Sequence, residues 1–190
     1  MNIALFFGSF NPVHQGHLII ANHIINFTDH EQVWMVVSPQ NPFKTNLQLA
    51  NEYERFYMME MAASDNPDIV PCNIEFELPK PSFTIDTLTY LRERYPQHRF
   101  SIVMGSDNIK DFHRWKNYEM ILEHYRLIVY QRPANLEKMY ENHEHVTYLD
   151  APLLDISSSF IRQLIRENKS IRYLVPEQVL KYINHSNLYS

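Results

Sequence analysis

Glycine is scarce in this chain, with three residues in 190. Average usage of about 7% would give roughly 13. The positions Gly8, Gly16 and Gly105 fit neither the Gly-x-x-x-x-Gly-Lys spacing of a Walker A loop nor the Gly-x-Gly-x-x-Gly spacing of a dinucleotide fingerprint. Any phosphate that the protein binds must therefore be held by other means.

Several further classes are excluded by what the composition lacks. Cys72 is the single cysteine, so no internal disulfide can form, a thiolate zinc site is disfavoured, and a cytoplasmic location is expected. No apolar run approaches the roughly 20 residues of a membrane span. The net charge of −5 argues against a general nucleic-acid or membrane-surface binder, although a local pocket can still be positive.

Length and patterning predict one domain over residues 1–190, because 45% hydrophobic and 21% charged residues are typical of a folded globular chain. Short apolar runs alternate with stretches of helical period. The predicted strands are Asn2–Phe7, Val33–Ser38, Ile69–Phe76, Phe100–Met104, Leu127–Tyr130 and Val146–Leu149. The predicted helices are Gly16–Phe27, Glu52–Ala63, Ile85–Tyr95, Tyr118–His124, Ser158–Asn168 and Pro176–Asn184. This order predicts an α/β fold, a doubly wound Rossmann-like parallel sheet with a C-terminal helical portion.

Ligands of such sheets bind at the carboxyl ends of the strands. The glycines stand at those ends: Gly8 follows strand one, Gly16 opens helix one and Gly105 ends strand four, a placement that favours close approach of a ligand. His14 and His17 lie three residues apart at the first junction, so both rings can face one ligand beside a helix N-terminus that attracts phosphate. Taken alone, the pair could equally be a helix cap or two metal ligands.

The full string Gly-Ser-Phe-Asn-Pro-x-His-x-Gly-His is more specific than the histidine pair. It resembles the signature of the nucleotidyltransferase superfamily that includes small-molecule adenylyl- and cytidylyltransferases. The resemblance implies that ATP contacts this segment. The implied contacts are Gly8, Ser9, Phe10, His14, Gly16 and His17, with His14 and His17 also catalytic.

A second candidate anion site begins the helix after Asp155. Ser157 is a plausible N-cap, and Ser158 and Arg162 share a helix face. On its own this pattern is typical of an ordinary serine-capped amphipathic helix with Ile156, Phe160, Ile161, Leu164 and Ile165 on its core side. The string Ile-Ser-Ser-Ser-x-Ile-Arg, however, closely resembles the superfamily's Ile-Ser-Ser-Thr-x-Ile-Arg motif. The resemblance implies that Ile156, Ser157, Ser158 and Arg162 bind the ATP β- and γ-phosphates, with Arg162 also catalytic.

The middle of the chain resembles bacterial nicotinate-mononucleotide adenylyltransferases, and the resemblance extends over nearly the whole length. Lys44 ends a Pro-rich stretch where the family has His-Lys or His-Arg, and Phe43 replaces that His. The resemblance makes Lys44 a catalytic and substrate-binding candidate. It also implies an acceptor site at Phe83 and Thr84, in the string Ser-Phe-Thr-Ile-Asp-Thr-Leu, where Thr84 could cap the third helix. Gly105 and Asp107 should contact ATP, and Asp107 and Trp115 the acceptor, with Trp115 stacking on its pyridine ring.

The reaction implied by the resemblance joins nicotinate mononucleotide to the AMP half of ATP, giving nicotinate adenine dinucleotide and pyrophosphate. Mg²⁺ would be bound mainly through the ATP phosphates, so no dedicated protein metal site is expected. ATP and nicotinate mononucleotide are the expected partners, without nucleic acid or membrane, and a homo-oligomer is possible. The alternatives are an adenylyltransferase for phosphopantetheine or for the nicotinamide nucleotide, and a catalytically silent nucleotide-binding protein.

Overall fold

The sheet carries six strands, all parallel, in the order β3-β2-β1-β4-β5-β6. The computed structural model describes residues 1–40, 49–132, 138–152 and 154–190. The strands are β1 Asn2–Gly8, β2 Gln32–Val37, β3 Ile69–Cys72, β4 Arg99–Gly105, β5 Arg126–Tyr130 and β6 Val146–Leu149. The predicted doubly wound parallel sheet is therefore confirmed, and the strand order changes direction between β1 and β4, where such sheets bind their ligands.

Helices cover both faces of this sheet. They are α1 Gln15–Phe27, α2 Glu52–Ala63, α3 Thr84–Arg94, α4 Ser106–Lys110, α5 Tyr118–His124, α6 Ser158–Arg166 and α7 Glu177–Ser186. The central strands are continuous apolar runs because their side chains are buried on both faces of the sheet. The side chains of one face pack under α1 and α7, and those of the other face pack under α3 and α5. Among the described helices, none has the length and apolar character needed to cross a bilayer.

The third strand was predicted to run from Ile69 to Phe76 but ends at Cys72. A 3-10 turn, Ile74–Glu77, takes its place. Ile74 is buried there and Phe76 is half-buried, but Glu75 is buried with them, and its carboxylate needs hydrogen-bond donors that a regular edge strand does not supply. The Cys72 thiol is buried at the end of the shortened strand, and burial raises its pKa to about 11, so it is an unreactive thiol.

Three local details also differ from the sequence prediction. Thr84 is the first residue of α3 and Phe83 is its N-cap residue, so Thr84 does not cap the helix. Phe160 was assigned to the core side of α6 and is instead 46% exposed, whereas Ile161 on the opposite side of that turn is buried. The short helix α4 was not predicted, because its five residues are too few to show a period.

Candidate active site

The loop after β1 is held from beneath by one buried arginine. Arg55 of α2 is fully buried and donates to four backbone carbonyls: Ser9 at 2.6 Å, Ser38 at 2.8 Å, Ala50 at 2.9 Å and Pro39 at 3.1 Å. Its guanidinium thus joins the ends of β1 and β2 to the start of α2. Because a carbonyl points away from the N–H of its own peptide unit, pulling these oxygens toward Arg55 also sets the direction of the amides that follow them.

Phe10 shows that this loop is constrained. Its backbone has a φ of 43°, in the left-handed region that residues other than glycine rarely adopt. The ring is buried, packs edge-on against His17 with 4.9 Å between ring centroids, and occupies the space beside Gly8. Such a conformation persists only where the surroundings determine it, and it is common at binding sites.

His14 and His17 stand together at the start of α1, as predicted. Their rings are stacked with centroids 3.6 Å apart, and the backbone N–H of His14 donates to Nδ1 of His17 at 3.2 Å. Because Nδ1 of His17 accepts, the neutral ring carries its hydrogen on Nε2. Burial, reinforced by the nearby Arg132 guanidinium, lowers the pKa of His14 to about 3, so His14 is uncharged at neutral pH.

Helix α6 packs its first turn directly on the histidine loop. Arg162 donates to the Asn11 carbonyl at 2.7 Å, and the Ser158 hydroxyl donates to the Pro12 carbonyl at 2.8 Å. Ser157 caps the helix, as predicted, by accepting from the Phe160 N–H at 3.2 Å. The two predicted phosphate sites are therefore two walls of one site. The Ser158 hydrogen is committed to Pro12, so in this state its hydroxyl can only accept.

One further charged residue of the site, Arg132, was not identified from the sequence. Arg132 lies just after β5; its Nε is 3.3 Å from Asp107 Oδ1, and its Nη2 donates to the Tyr130 hydroxyl at 3.1 Å. Its backbone N–H donates to the Ser106 hydroxyl, which fixes the chain beside the end of β4. The available signal was position: β5 was predicted, and Arg132 follows its carboxyl end by two residues.

These elements enclose one cleft at the carboxyl ends of β1, β4 and β5. Among the predicted ATP-site residues, Gly8, Ser9, Phe10, His14, His17, Asp107, Ser157, Ser158 and Arg162 line it; Phe6, Phe7, Asn11, Leu49, Asn108, Tyr130, Arg132 and Ser159 complete the lining. Gly16, Gly105 and Ile156 are not in this lining but lie against it. Within the described ranges, no cluster of three or more His, Cys, Asp or Glu side chains could hold a metal ion.

The glycines prove to make room for side chains of the site itself. A Cβ on Gly16 would lie 3.1 Å from the His14 ring, one on Gly8 2.9 Å from the Phe10 ring, and one on Gly105 would collide with the Asp107 carboxylate. No glycine has a positive φ, so none is needed for its backbone conformation. The close approach predicted at the strand ends is thus made by the protein's own side chains.

Gly105→Ala should therefore damage the site without unfolding the chain. The methyl group would displace Asp107 and lie 3.2 Å from Arg132 Nε, which breaks the pair that holds both side chains. We expect the ATP KM to rise by about tenfold or more, the cost of one displaced charged contact. Steady-state kinetics with thermal unfolding in parallel test this, and an unchanged ATP KM would contradict it.

Apart from Asp107, which lines this cleft, the described acceptor candidates form a group outside its lining. Phe83 and Thr84 are half-buried at the start of α3, and the Lys116 ammonium lies 4.9 Å from the centre of the Phe83 ring while pairing with Asp86 at 2.9 Å. Trp115, next to Lys116, is half-buried and packs edge-on against Phe112, 5.5 Å between centroids. The structure thus brings the Trp115 segment to the Phe83 turn. The predicted Lys44, and Phe43 beside it, lie outside the described residues.

A Rossmann-like sheet with paired histidines at its first strand–helix junction, faced by a serine–arginine helix, defines a nucleotidyltransferase. The model of the cytidylyltransferase-like family matches residues 5–164. The probable nicotinate-nucleotide adenylyltransferase of Cytophaga hutchinsonii is 51% identical over 190 residues, covering 100% of this chain and 99% of the relative. That of Caldicellulosiruptor bescii is 38% identical over 197 residues, with the same coverage.

The fold has solved counterparts as well. A nicotinic acid mononucleotide adenylyltransferase of Plasmodium falciparum, complexed with NaAD, superimposes with a TM-score of 0.85 at 22% identity, covering 99% of this chain and 97% of its own. At that identity the likeness concerns the fold alone. On the family match and the full-length relatives, the chain belongs to the cytidylyltransferase-like family and, within it, to the nicotinate-nucleotide adenylyltransferases.

Proposed function

We propose that this protein, acting as one domain over residues 1–190, transfers AMP from ATP to nicotinate mononucleotide, giving nicotinate adenine dinucleotide and pyrophosphate in NAD biosynthesis. One observation carries the proposal: His14, His17, Arg132 and Arg162 line one cleft, and the separate N-terminus of α3 is tied to the same edge of the sheet, because the buried Glu75 accepts from both Ser82 and Ser38. The first group suits a triphosphate, and the second suits a carboxylate. The single cysteine, a free buried thiol, fits the reducing cytoplasm in which we place the enzyme.

The acceptor supplies its own nucleophile in this reaction. The 5′-phosphate is already anionic, so the chain needs no activated serine or cysteine, in keeping with the protonated Cys72 thiol. An oxygen of the acceptor phosphate forms a bond to the ATP α-phosphorus while the bond from that phosphorus to the pyrophosphate oxygen breaks. The protein's task is to align two mutually repelling phosphates and to offset the negative charge that builds on the α-phosphate and on the leaving group.

His17 is the best-placed donor to the α-phosphate. Its Nδ1 is occupied by the His14 amide, so the neutral ring presents an N–H from Nε2. His14, uncharged through burial, orients His17 by stacking and supplies a second polar edge. Neither ring needs to act as an acid or base, because no proton has to move for the phosphoryl transfer itself.

The other charged side chains of the site suit the pyrophosphate leaving group and its cation. Arg162 and Arg132 face the same cleft, and Arg162 would hold the β- and γ-phosphates, with Lys44 as a further proposed ligand. Asp107 is a carboxylate that lines this cleft, paired with Arg132, and fits a contact to a hydrated cation. Mg²⁺, bound mainly through the ATP phosphates, would neutralise part of their charge.

Phe83 and Thr84 would bind the nicotinate carboxylate and Trp115 would stack on the pyridine ring.

Offering the purified protein ATP with each acceptor in turn tests the proposal. We expect pyrophosphate release with nicotinate mononucleotide, and a kcat/KM for the nicotinamide nucleotide at least about tenfold lower, because helix amides favour an anion over a neutral amide. Preference for phosphopantetheine would contradict the acceptor assignment. ATP binding without pyrophosphate release for any acceptor would instead support a silent nucleotide-binding protein.

A further inference from the structure

Glu75 is a buried carboxylate to which neither the reaction nor the motifs assign a role. It lies on the 3-10 turn that replaces the end of the third predicted strand, and it is 2% exposed. Its Oε2 accepts from the Ser82 hydroxyl at 2.8 Å and its Oε1 from the Thr87 hydroxyl at 2.9 Å. The Ser38 hydroxyl, at the end of β2, is a third donor. The carboxylate therefore joins β2 to the residues on either side of the Phe83 turn.

Holding a carboxylate there costs stability. Burial raises the pKa of Glu75, and the hydroxyls of Ser82, Ser38 and Thr87 only partly offset that rise. Within the described ranges, no Lys, Arg or His forms an ion pair with Glu75. A neutral side chain of similar size would pack here at lower cost, because buried charge without a counter-ion is destabilising. The position of the carboxylate therefore points to a task other than stabilising the core.

We propose that Glu75 is a positioning residue for the acceptor, and that it fixes the Ser82–Thr84 turn so that the first amides of α3 face the acceptor's carboxylate. The inference rests on the proposed function. Its physical basis is the set of groups that Glu75 binds. The carboxylate accepts from the hydroxyls of Ser82 and Thr87 and does not occupy the backbone N–H groups of Thr84 and Ile85 at the start of α3, whereas the Asp86 N–H donates to the Phe83 carbonyl. A carboxylate bound directly to those amides would instead occupy the site.

Glu75 also joins the acceptor side to the ATP side. Ser38 donates its hydroxyl to Glu75, while its backbone carbonyl accepts from Arg55, which at the same time holds the Ser9 carbonyl in the histidine loop. A single residue at the end of β2 is thus held by a buried anion on one side and a buried cation on the other. We expect the effect of Glu75 to fall on the acceptor, because its other two contacts lie in the Ser82–Thr84 turn and in α3, which follows it: Ser82 and Thr87.

Kinetics of Glu75→Gln, which keeps the shape and removes the charge, test this inference. We expect the KM for nicotinate mononucleotide to rise about tenfold, while the KM for ATP stays within about twofold. The preference for the acid, measured as kcat/KM for nicotinate mononucleotide divided by kcat/KM for the nicotinamide nucleotide, should also fall. The matched control is Glu77→Gln, an exposed carboxylate of the same turn that pairs with Arg94, and it should leave both constants unchanged.

A second pair of variants keeps the test independent of how well Glu75→Gln folds. Thr87→Val removes one donor at nearly constant volume and should raise the acceptor KM, whereas Thr87→Ser, which keeps the hydroxyl, should raise it much less. If these variants lower only the melting temperature and leave the acceptor KM unchanged, Glu75 is merely structural and the inference is overturned. The wild-type acceptor assay is read first, so failure of the proposed function appears as absent turnover and is distinct from this outcome.

Discussion

Replacing His17 by alanine should reduce kcat by about 10²- to 10⁴-fold while leaving the chain folded. The ring lines the cleft, and its Nδ1 accepts from the His14 N–H. In the proposed mechanism the N–H on Nε2 donates to the α-phosphate. A donor aimed at charge that develops during the reaction contributes chiefly to kcat. The KM for ATP should change much less, because Arg162 and the other phosphate contacts remain.

His23→Ala is the matched control for this variant. His23 lies two turns further along α1, where it stacks on the exposed Phe27 and is not part of the cleft lining. Its loss should leave kcat unchanged. Thermal unfolding should place both variants close to the wild type. Near-normal turnover in His17→Ala, measured as pyrophosphate release under saturating substrates, would remove His17 from the mechanism.

Much of the fold could be predicted from the sequence because its signals are local. Apolar runs flanked by polar turns predicted all six strands, and their alternation with helical stretches predicted that the strands run parallel. At the end of β3, where the prediction was wrong, partners from another segment decide the structure. The Ile69–Phe76 run has the composition of a strand, but Glu75 takes its partners from Ser82 and Thr87, which no local pattern reveals.

Some residues of the candidate site could likewise be predicted from a local pattern, and others could not. The string around His14 and His17 could be found because many of its residues match the superfamily signature at once. Arg132 and Arg55 could not, since an arginine is usually a surface residue and neither position stands in a pattern. Their roles depend on what surrounds them: four carbonyls converge on Arg55, and Asp107 and Tyr130 converge on Arg132.

The structural role of the three glycines differs from the one predicted from the sequence. Their spacing fits none of the usual glycine-rich phosphate loops, and Gly8 and Gly105 end β1 and β4 at the edge of the sheet where the cleft lies. The space beside them, however, belongs to Phe10, His14 and the Asp107–Arg132 pair. A chain without a glycine-rich phosphate loop has to bring side chains to the phosphates, and those side chains need room at the strand ends.

The largest effect on stability should come from Arg55→Met. Methionine fills much of the volume of the arginine stem but donates no hydrogen bond, so four backbone carbonyls lose their partner in the interior. An unsatisfied buried polar group costs about 1–3 kcal/mol. Removing the cation also removes the free-energy cost of burying its charge, which offsets part of this loss. We expect a net decrease of about 3 kcal/mol or more in the free energy of unfolding, measured by urea denaturation.

Two further variants separate the hydrogen bonds of Arg55 from its charge. Arg55→Lys keeps the charge, but one ammonium cannot reach carbonyls on three different segments in the geometry of a planar guanidinium, so its stability should fall between those of methionine and the wild type. Arg99→Met, at an exposed position, should change stability by less than about 0.5 kcal/mol. If Arg55→Met is as stable as the wild type, the four contacts only offset the cost of burying the charge. The conformation of Phe10 must then be maintained without Arg55, by the packing of its ring against neighbours such as Phe6 and His17.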